Sequence, residues 1–264
     1  MNWPIEELYL AIEPLIPAFR AQVLPSIDST NTELMRRSKD GITGPLLLIA
    51  EEQTAGKGRL GRTWIARPGE SLTFSIGLNV SAPDWSGFSL AVGLGILNAL
   101  DPLRQYGIAL KWPNDLWVGP VSSARKLGGI LIESTLTSNP NHSPECERYC
   151  VIGVGINLVA PTGVDLKRVA VGLCEIEPHS TAGSILLKVV PYIVQNVLRF
   201  EGAGFAAFVS EYASCDILLG QQVSMSNGVV GRACGVNPRG ELIIQTHSGV
   251  SIVASDEVSL VGMG

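Results

Sequence analysis

The sequence predicts an α/β (α+β) chain: a larger unit mixing strands and helices, then a small all-β unit. Three observations predict it. Apolar strand-type runs and helical stretches alternate through residues 5–214. From residue 217 onward, short strands are separated by Ser226-Asn227-Gly228, Asn237-Pro238-Arg239-Gly240 and His247-Ser248-Gly249, turn signals at the spacing of a small β unit. The composition, 46% hydrophobic and 16% charged over 264 residues, supplies core for one large domain, or a large one plus a small one. A boundary near Asp216 follows, dividing the chain into residues 1–216 and 217–264.

The elements follow in order. A proline-bounded helical stretch covers residues 5–19. Ser29 or Thr30 then caps a helix over 31–38, with Glu33 placed to complete a capping box from Thr30. Residues 45–50 form a short buried-type strand, and 71–78 alternate as a strand should. A Leu-, Ala- and Gly-rich helix is expected over 88–106. Strands over 109–112 and 116–118 flank a Pro-Asn-Asp turn, and 126–134 and 149–158 are further strands. Residues 139–147, polar with two prolines, read as a hairpin loop. Helices over 184–200, kinked at Pro191, and 205–214 close the larger unit.

Composition excludes several classes. Mean hydropathy is high at +0.28, yet no run reaches the about 18 apolar residues of a membrane span. The N-terminus has early acids and no basic region, unlike a signal peptide. Five cysteines without a CxxC read as reduced cytoplasmic thiols, and three scattered histidines give no zinc spacing. A net charge of −5 argues against a general nucleic-acid binder.

One loop stands out: Gly56-Lys57-Gly58-Arg59-Leu60-Gly61-Arg62. It matches the dinucleotide G-x-G-x-x-G, but that fingerprint needs a helix directly after the glycines. Here Pro68-Gly69 and an alternating strand follow. A P-loop also fails, since Gly58 follows Lys57 where Ser or Thr is required. What remains is a glycine-rich loop with three cations, suited to carboxylate or phosphate oxygens. On the loop's chemistry alone a solvated basic turn is the better explanation, so the loop by itself names no function.

Its neighbours change that. Asp28-Ser29-Thr30-Asn31, Glu52-Gln53-Thr54-Ala55, Lys111-Trp112-Pro113-Asn114-Asp115, Arg125-Lys126-Leu127-Gly128-Gly129 and Gly153-Val154-Gly155-Ile156-Asn157 accompany the loop. In this order and at these separations, from about Pro25 to Leu158, they resemble the biotin–protein ligase family. The resemblance implies a mixed sheet packed with helices, followed by a small SH3-like β-barrel. It implies activation of biotin by ATP, with Mg2+, to biotinyl-5′-AMP. Transfer to a lysine of a biotin carboxyl carrier protein domain of a carboxylase would follow. Family dimers pair sheet edges, which leaves a homodimer open. Some members carry an N-terminal DNA-binding domain; too few residues precede Asp28 for one, so no DNA role is expected.

The resemblance also implies roles. Ser29, Thr30 and Asn31 would meet biotin's ureido ring and Gln53 would contact biotin; on residue type alone, the first three also suit plain helix capping and Gln53 a surface glutamine after two acids. Lys57, Gly58, Arg59 and Lys126 complete the biotin site, and Arg59, Arg62, Trp64, Asn114 and Asn157 the adenylate site. Lys57 stands where the family often has Arg, keeping the charge but losing the fork. Catalytic roles fall to Lys126, Arg59, Lys111 and Asp115. A lysine starting a buried-type strand, as Lys126 does, needs an anion or a route to solvent. Asp115 could orient the acceptor amine, take its proton or hold magnesium, or merely form the turn. The rivals are a lipoate-type acyl–protein ligase on the same scaffold, and a non-enzymatic binding module.

Overall fold

In the computed structural model, residues 2–136, 147–162 and 170–261 are described. The expected 139–147 hairpin loop therefore lies outside the described residues, save Glu147. The chain opens with α1 (Ile5–Ile12), then β1 (Arg20–Leu24), α2 (Thr30–Lys39), β2 (Leu46–Ala50) and β3 (Ser71–Ser81). Next come α3 (Phe88–Leu100), β4 (Ile108–Lys111), β5 (Asp115–Val118), β6 (Arg125–Leu136) and β7 (Glu147–Asn157). Helices α4 (Ala182–Ala203) and α5 (Val209–Ala213) precede five short strands: β8 (Gln222–Met225), β9 (Val230–Val236), β10 (Leu242–Thr246), β11 (Gly249–Val253) and β12 (Val258–Leu260).

Two sheets result. The first has seven strands in the order β1-β2-β3-β7-β6-β5-β4 and is mixed, with β1 parallel to β2 and the other pairs antiparallel. The second is antiparallel, in the order β11-β10-β9-β8-β12. The SH3-like barrel was the expectation for this unit. Among the described residues no ladder joins β11 to β12, so the sheet is not closed.

Strand period explains how the large sheet is buried. On β3, Leu72, Phe74, Ile76 and Leu78 face the main core with α3 and α4. On β7, Cys150, Ile152, Val154 and Ile156 do the same. The intervening residues point the other way. There, Tyr149 and Val151 pack with Leu34 of α2 and Leu48 of β2. Farther along that same face come Thr73, Ser75, Gly153 and Gly155, which carry little or no apolar bulk. One face is thus a helix-covered core, and the other is part core, part cavity floor. On the core side, α3 and α4 approach closely because Gly95 has no Cβ; one would meet the Tyr192 carbonyl oxygen at 2.9 Å.

Several sequence expectations are corrected. Helix α1 stops at Ile12, because Pro14 and Pro17 lack the amide hydrogen that a longer helix needs. The freed chain forms β1, which the sequence pattern did not reveal. The capping box from Thr30 does not form. Ser29 is the N-cap, and Glu33 instead pairs with Arg36 and, at 2.8 Å, with Arg37. Helix α3 ends at Leu100 rather than 106, where the Asp101 carboxylate accepts the amides of Gln105 and Tyr106. Helix α4 is longer than the expected 184–200, spanning Ala182–Ala203 with Pro191 inside it. No helix among the described residues is long and apolar enough to cross a membrane.

The two sheets are joined through β4. Leu110 donates its amide to Cys215 O (2.8 Å) and accepts from Ile217 N (3.0 Å). Asp216, between those partners, is buried, and burial pushes its carboxyl from 3.8 up to about 6. The folded chain therefore binds this proton more tightly than the unfolded chain. Stability falls as pH rises from about 4 to about 6 and is flat in this group above that. Asp216→Asn should remove that slope and raise stability at neutral pH by at most about 3 kcal/mol, measured as urea unfolding across the pH range.

Candidate functional site

A cavity open to solvent lies on the second face of the large sheet. Its floor is Thr73 and Phe74 of β3, Gly129 to Leu131 of β6 and Gly153 to Gly155 of β7. Ser29, Thr30 and Asn31, at the start of α2, close one end with Gln53. The other end holds the β4–β5 turn (Lys111 to Asp115), Lys126 and the tip of the glycine-rich loop, whose base at Gly56 lies against Gln53. Asp256, Glu257 and Val258 of the C-terminal unit complete the rim.

The loop is a tight hairpin, not a helix start. Gly58 N donates to Arg62 O (2.7 Å) and Trp64 N to Gly56 O (2.9 Å). A short 3-10 turn, Arg59–Gly61, sits at its tip. Gly56 is required, because a Cβ there would strike the Trp64 carbonyl. The helix that a dinucleotide site needs is absent here, as the sequence predicted.

The loop's cations face acids. Arg62 pairs with Glu257. Arg59 donates to Asn114 Oδ1 (3.3 Å) and Ser255 Oγ (3.1 Å). Burial pushes the Arg59 pKa down, and Asp115 and Glu257 oppose that. A guanidinium withdrawn from water in this way gains from a further anion. Lys126 Nζ donates to Asp115 Oδ1 at 2.7 Å, with both side chains largely covered. Gly129 lies across from that pair, where a Cβ would sit 3.4 Å from Asp115 Oδ1.

The Lys-Trp-Pro-Asn-Asp segment serves both sheets. Asn114 Nδ2 donates to Ile130 O (2.8 Å), fixing the turn to β6. Lys111 is 4% exposed, donates to Val258 O (2.6 Å) and stands 5.2 Å from the Trp117 ring centre. Trp112 Nε1 donates to Gly240 O (3.0 Å). Its first two residues therefore dock the C-terminal unit, and its last two face Arg59 and Lys126.

Of the residues singled out from sequence, Ser29, Thr30, Asn31, Gln53, Lys57, Gly58, Arg59, Arg62, Trp64, Lys111, Asn114, Asp115 and Lys126 all line this one cavity. Asn157 is not among the lining residues; its amide donates to Lys126 O (3.4 Å) and Val171 O (3.3 Å), behind the site. Sequence reasoning missed Ser255, Asp256 and Glu257, whose only signal was an acidic doublet in a distant unit. It also missed why β7 is glycine-rich. A Cβ at Gly155 would collide with the Trp64 indole, and one at Gly153 with the Asn31 amide.

Residues 23–157 match the model of the biotin/lipoate A/B protein ligase family, and the chain belongs to that family. Within it, the chain is 30% identical over 252 residues to the biotin–[acetyl-CoA-carboxylase] ligase of Mycobacterium tuberculosis, covering 89% of this chain and 87% of that one. It is 30% identical to the bifunctional ligase/repressor BirA of Escherichia coli, covering 73% of that protein. Among solved structures, the biotin protein ligase of Aquifex aeolicus in complex with biotin and ATP superposes with a TM-score of 0.74. That pair shares 28% identity, over 91% of this chain and 98% of that one.

The glycine seat under Trp64 is testable. Gly155→Ala should push the indole off the sheet and cost about 1–3 kcal/mol. It should also shift tryptophan emission in a way that a Trp64→Phe background abolishes.

Proposed function

We propose that this chain is an ATP-dependent biotin–protein ligase. It activates biotin as biotinyl-5′-AMP and transfers biotin to a lysine of a biotin carboxyl carrier domain. One observation carries the reading: a single cavity has a neutral polar end at Ser29, Thr30, Asn31 and Gln53, with Lys57 close to the adjoining Asp28, and a cationic end at Arg59, Arg62 and Lys126. A cyclic urea needs the first, and a carboxylate beside a polyphosphate needs the second. The activities named for the Mycobacterium and Escherichia relatives support it, as does the biotin and ATP in the Aquifex complex.

The chemistry proceeds in two displacements. A biotin carboxylate oxygen attacks the α-phosphorus, the bond to the β-phosphate bridging oxygen breaks, and pyrophosphate leaves. The carrier amine then attacks the acyl carbon, the bond to the phosphate oxygen breaks, and AMP departs as the amine loses a proton. Lys126 neutralises the biotin carboxylate and stays with the anhydride oxygen. Arg59 and Arg62 bind phosphate oxygens, exchanging Glu257 for the nucleotide. Trp64 offers a face to adenine. Asp115, paired with Lys126, is positioned to receive or orient the acceptor ammonium. Such catalysis is mostly positioning and charge stabilisation.

Magnesium enters with the nucleotide. No group of three or more His, Cys, Asp or Glu among the described residues could hold a metal. A magnesium ion would be held chiefly by the nucleotide's phosphates, with Asp115, Asp256 and Glu257 the carboxylates that line the cavity. When bound, it supplies charge neutralisation at the departing pyrophosphate. Residues 1–216 form the catalytic unit in this reading, and 217–264 close its rim. The net charge of −5 supports a ligase without a DNA-binding role.

The test uses the protein with ATP, magnesium, a carrier domain, and either biotin or lipoate. Biotin should release pyrophosphate and label the carrier, and lipoate should do neither. Pyrophosphate release with lipoate alone would contradict the proposal.

A further inference from the structure

Beneath the neutral end of the cavity runs a hydrogen-bonded chain that no site motif contains in full. Ser75, on β3 and fully buried, directs its hydroxyl at Thr30 Oγ1 (2.7 Å) and Asn31 Oδ1 (2.6 Å). Asn31 Nδ2 donates to Leu131 O (3.2 Å) and to Glu133 Oε2 (2.9 Å) on β6. A backbone carbonyl can only accept, so Leu131 fixes which end of the amide is nitrogen. The oxygen end must therefore meet Ser75. Gly153 gives the amide its space.

Proton accounting then sets the polarity of the wall. Asn31 Oδ1 can only accept, so the single Ser75 proton belongs to it. Thr30 has one hydroxyl proton, with Ser75 Oγ (2.7 Å) and Gln53 Oε1 (3.1 Å) as its acceptors. Either way that proton is spent inside the wall, and what Thr30 presents to the cavity is a lone pair. Gln53 Oε1 also accepts the Thr30 amide (2.7 Å), which leaves its amide nitrogen for a ligand. Ser29 accepts from Thr32 N (3.4 Å) and keeps its own proton. The wall thus reads as an acceptor at Thr30 flanked by donors at Ser29 and Gln53.

We propose that Ser75 and Glu133, neither of which lines the cavity, are positioning residues that hold Thr30 and Asn31 so that this wall selects a ligand N–H beside a carbonyl. The ligand class is a cyclic urea, and the inference rests on the biotin reading above. Ser75 acts through Thr30 and Asn31. Glu133 acts through the Asn31 amide, taking the second amide hydrogen that Leu131 leaves unpaired. Removing either leaves a buried polar group unpaired, which weakens urea binding and leaves the cationic end untouched.

The experiment measures KM for biotin and for ATP, kcat, and the preference for biotin over each isomer methylated at one ureido nitrogen. The wild type should bind biotin and reject at least one methyl isomer. Ser75→Ala and Glu133→Leu should raise the biotin KM roughly ten- to hundred-fold, with the ATP KM and kcat unchanged and the preference reduced. Glu133→Gln keeps an acceptor and should restore near-native values. Should Ser75→Ala fail to fold, the Glu133→Leu and Glu133→Gln pair decides the matter. A wild type that binds no biotin would overturn the functional reading itself. A wild type that binds biotin, with variants that keep its KM and preference or that lose kcat and both KM values alike, would overturn only this inference.

Discussion

The rest of the structure depends on a buried cation, Lys111. Its ammonium is almost wholly withdrawn from water, donates to the Val258 carbonyl and faces the Trp117 ring. A charge in that position is costly unless it is held on several sides. Here the holding partners come from both sheets. Lys111 therefore fixes the C-terminal unit against the β4–β5 turn, with Trp112 adding a bond to Gly240 and Arg239 reaching Asp84 at 2.9 Å. That docking carries Ser255 and Glu257 to Arg59 and Arg62. Without it, the cationic end would be an open basic loop.

The ion pairs of the site differ in how readily they yield. Arg62 and Glu257 are partly exposed, and a pair of that kind contributes about 0–1 kcal/mol. A polyphosphate, with more charge and more oxygens, can displace it. Lys126 and Asp115 are better covered and closer to the floor. Separating them strands a charge in a poorly hydrated place, so an incoming carboxylate must share Lys126 rather than evict Asp115. The arrangement places a replaceable pair at the rim, where nucleotide would enter, and a retained pair where the acyl group would be activated.

Much of the site was legible in the sequence because its residues travel in short motifs. The loop, the start of α2 and the Lys-Trp-Pro-Asn-Asp turn converge on one cavity, although no local signal says that they meet. Three things were hidden for physical reasons. Strand β1 is five residues long, one exposed and the rest only partly buried, and follows directly on a proline-bounded stretch, so tertiary pairing with β2 decides it. Gly153 and Gly155 are seats for Asn31 and Trp64, and their need for space comes from residues about a hundred positions away. Glu33 satisfied a capping pattern by spacing, yet Arg36 and Arg37 on the same helix offered it stronger, charge-assisted partners. The C-terminal strands were read correctly as strands. Their contribution to the cavity rim depends on docking, which no local pattern encodes.

The central claim is that one cavity brings a carboxylate and the α-phosphate of ATP together before any acceptor arrives. The most direct measurement is incubation of the protein with biotin, magnesium and ATP labelled at the α-phosphate, without a carrier, followed by separation of protein-bound label. The account predicts about one retained biotinyl-5′-AMP per chain, with pyrophosphate released. Label recovered only as ATP or ADP, or adenylate that forms only when a carrier is present, would contradict it.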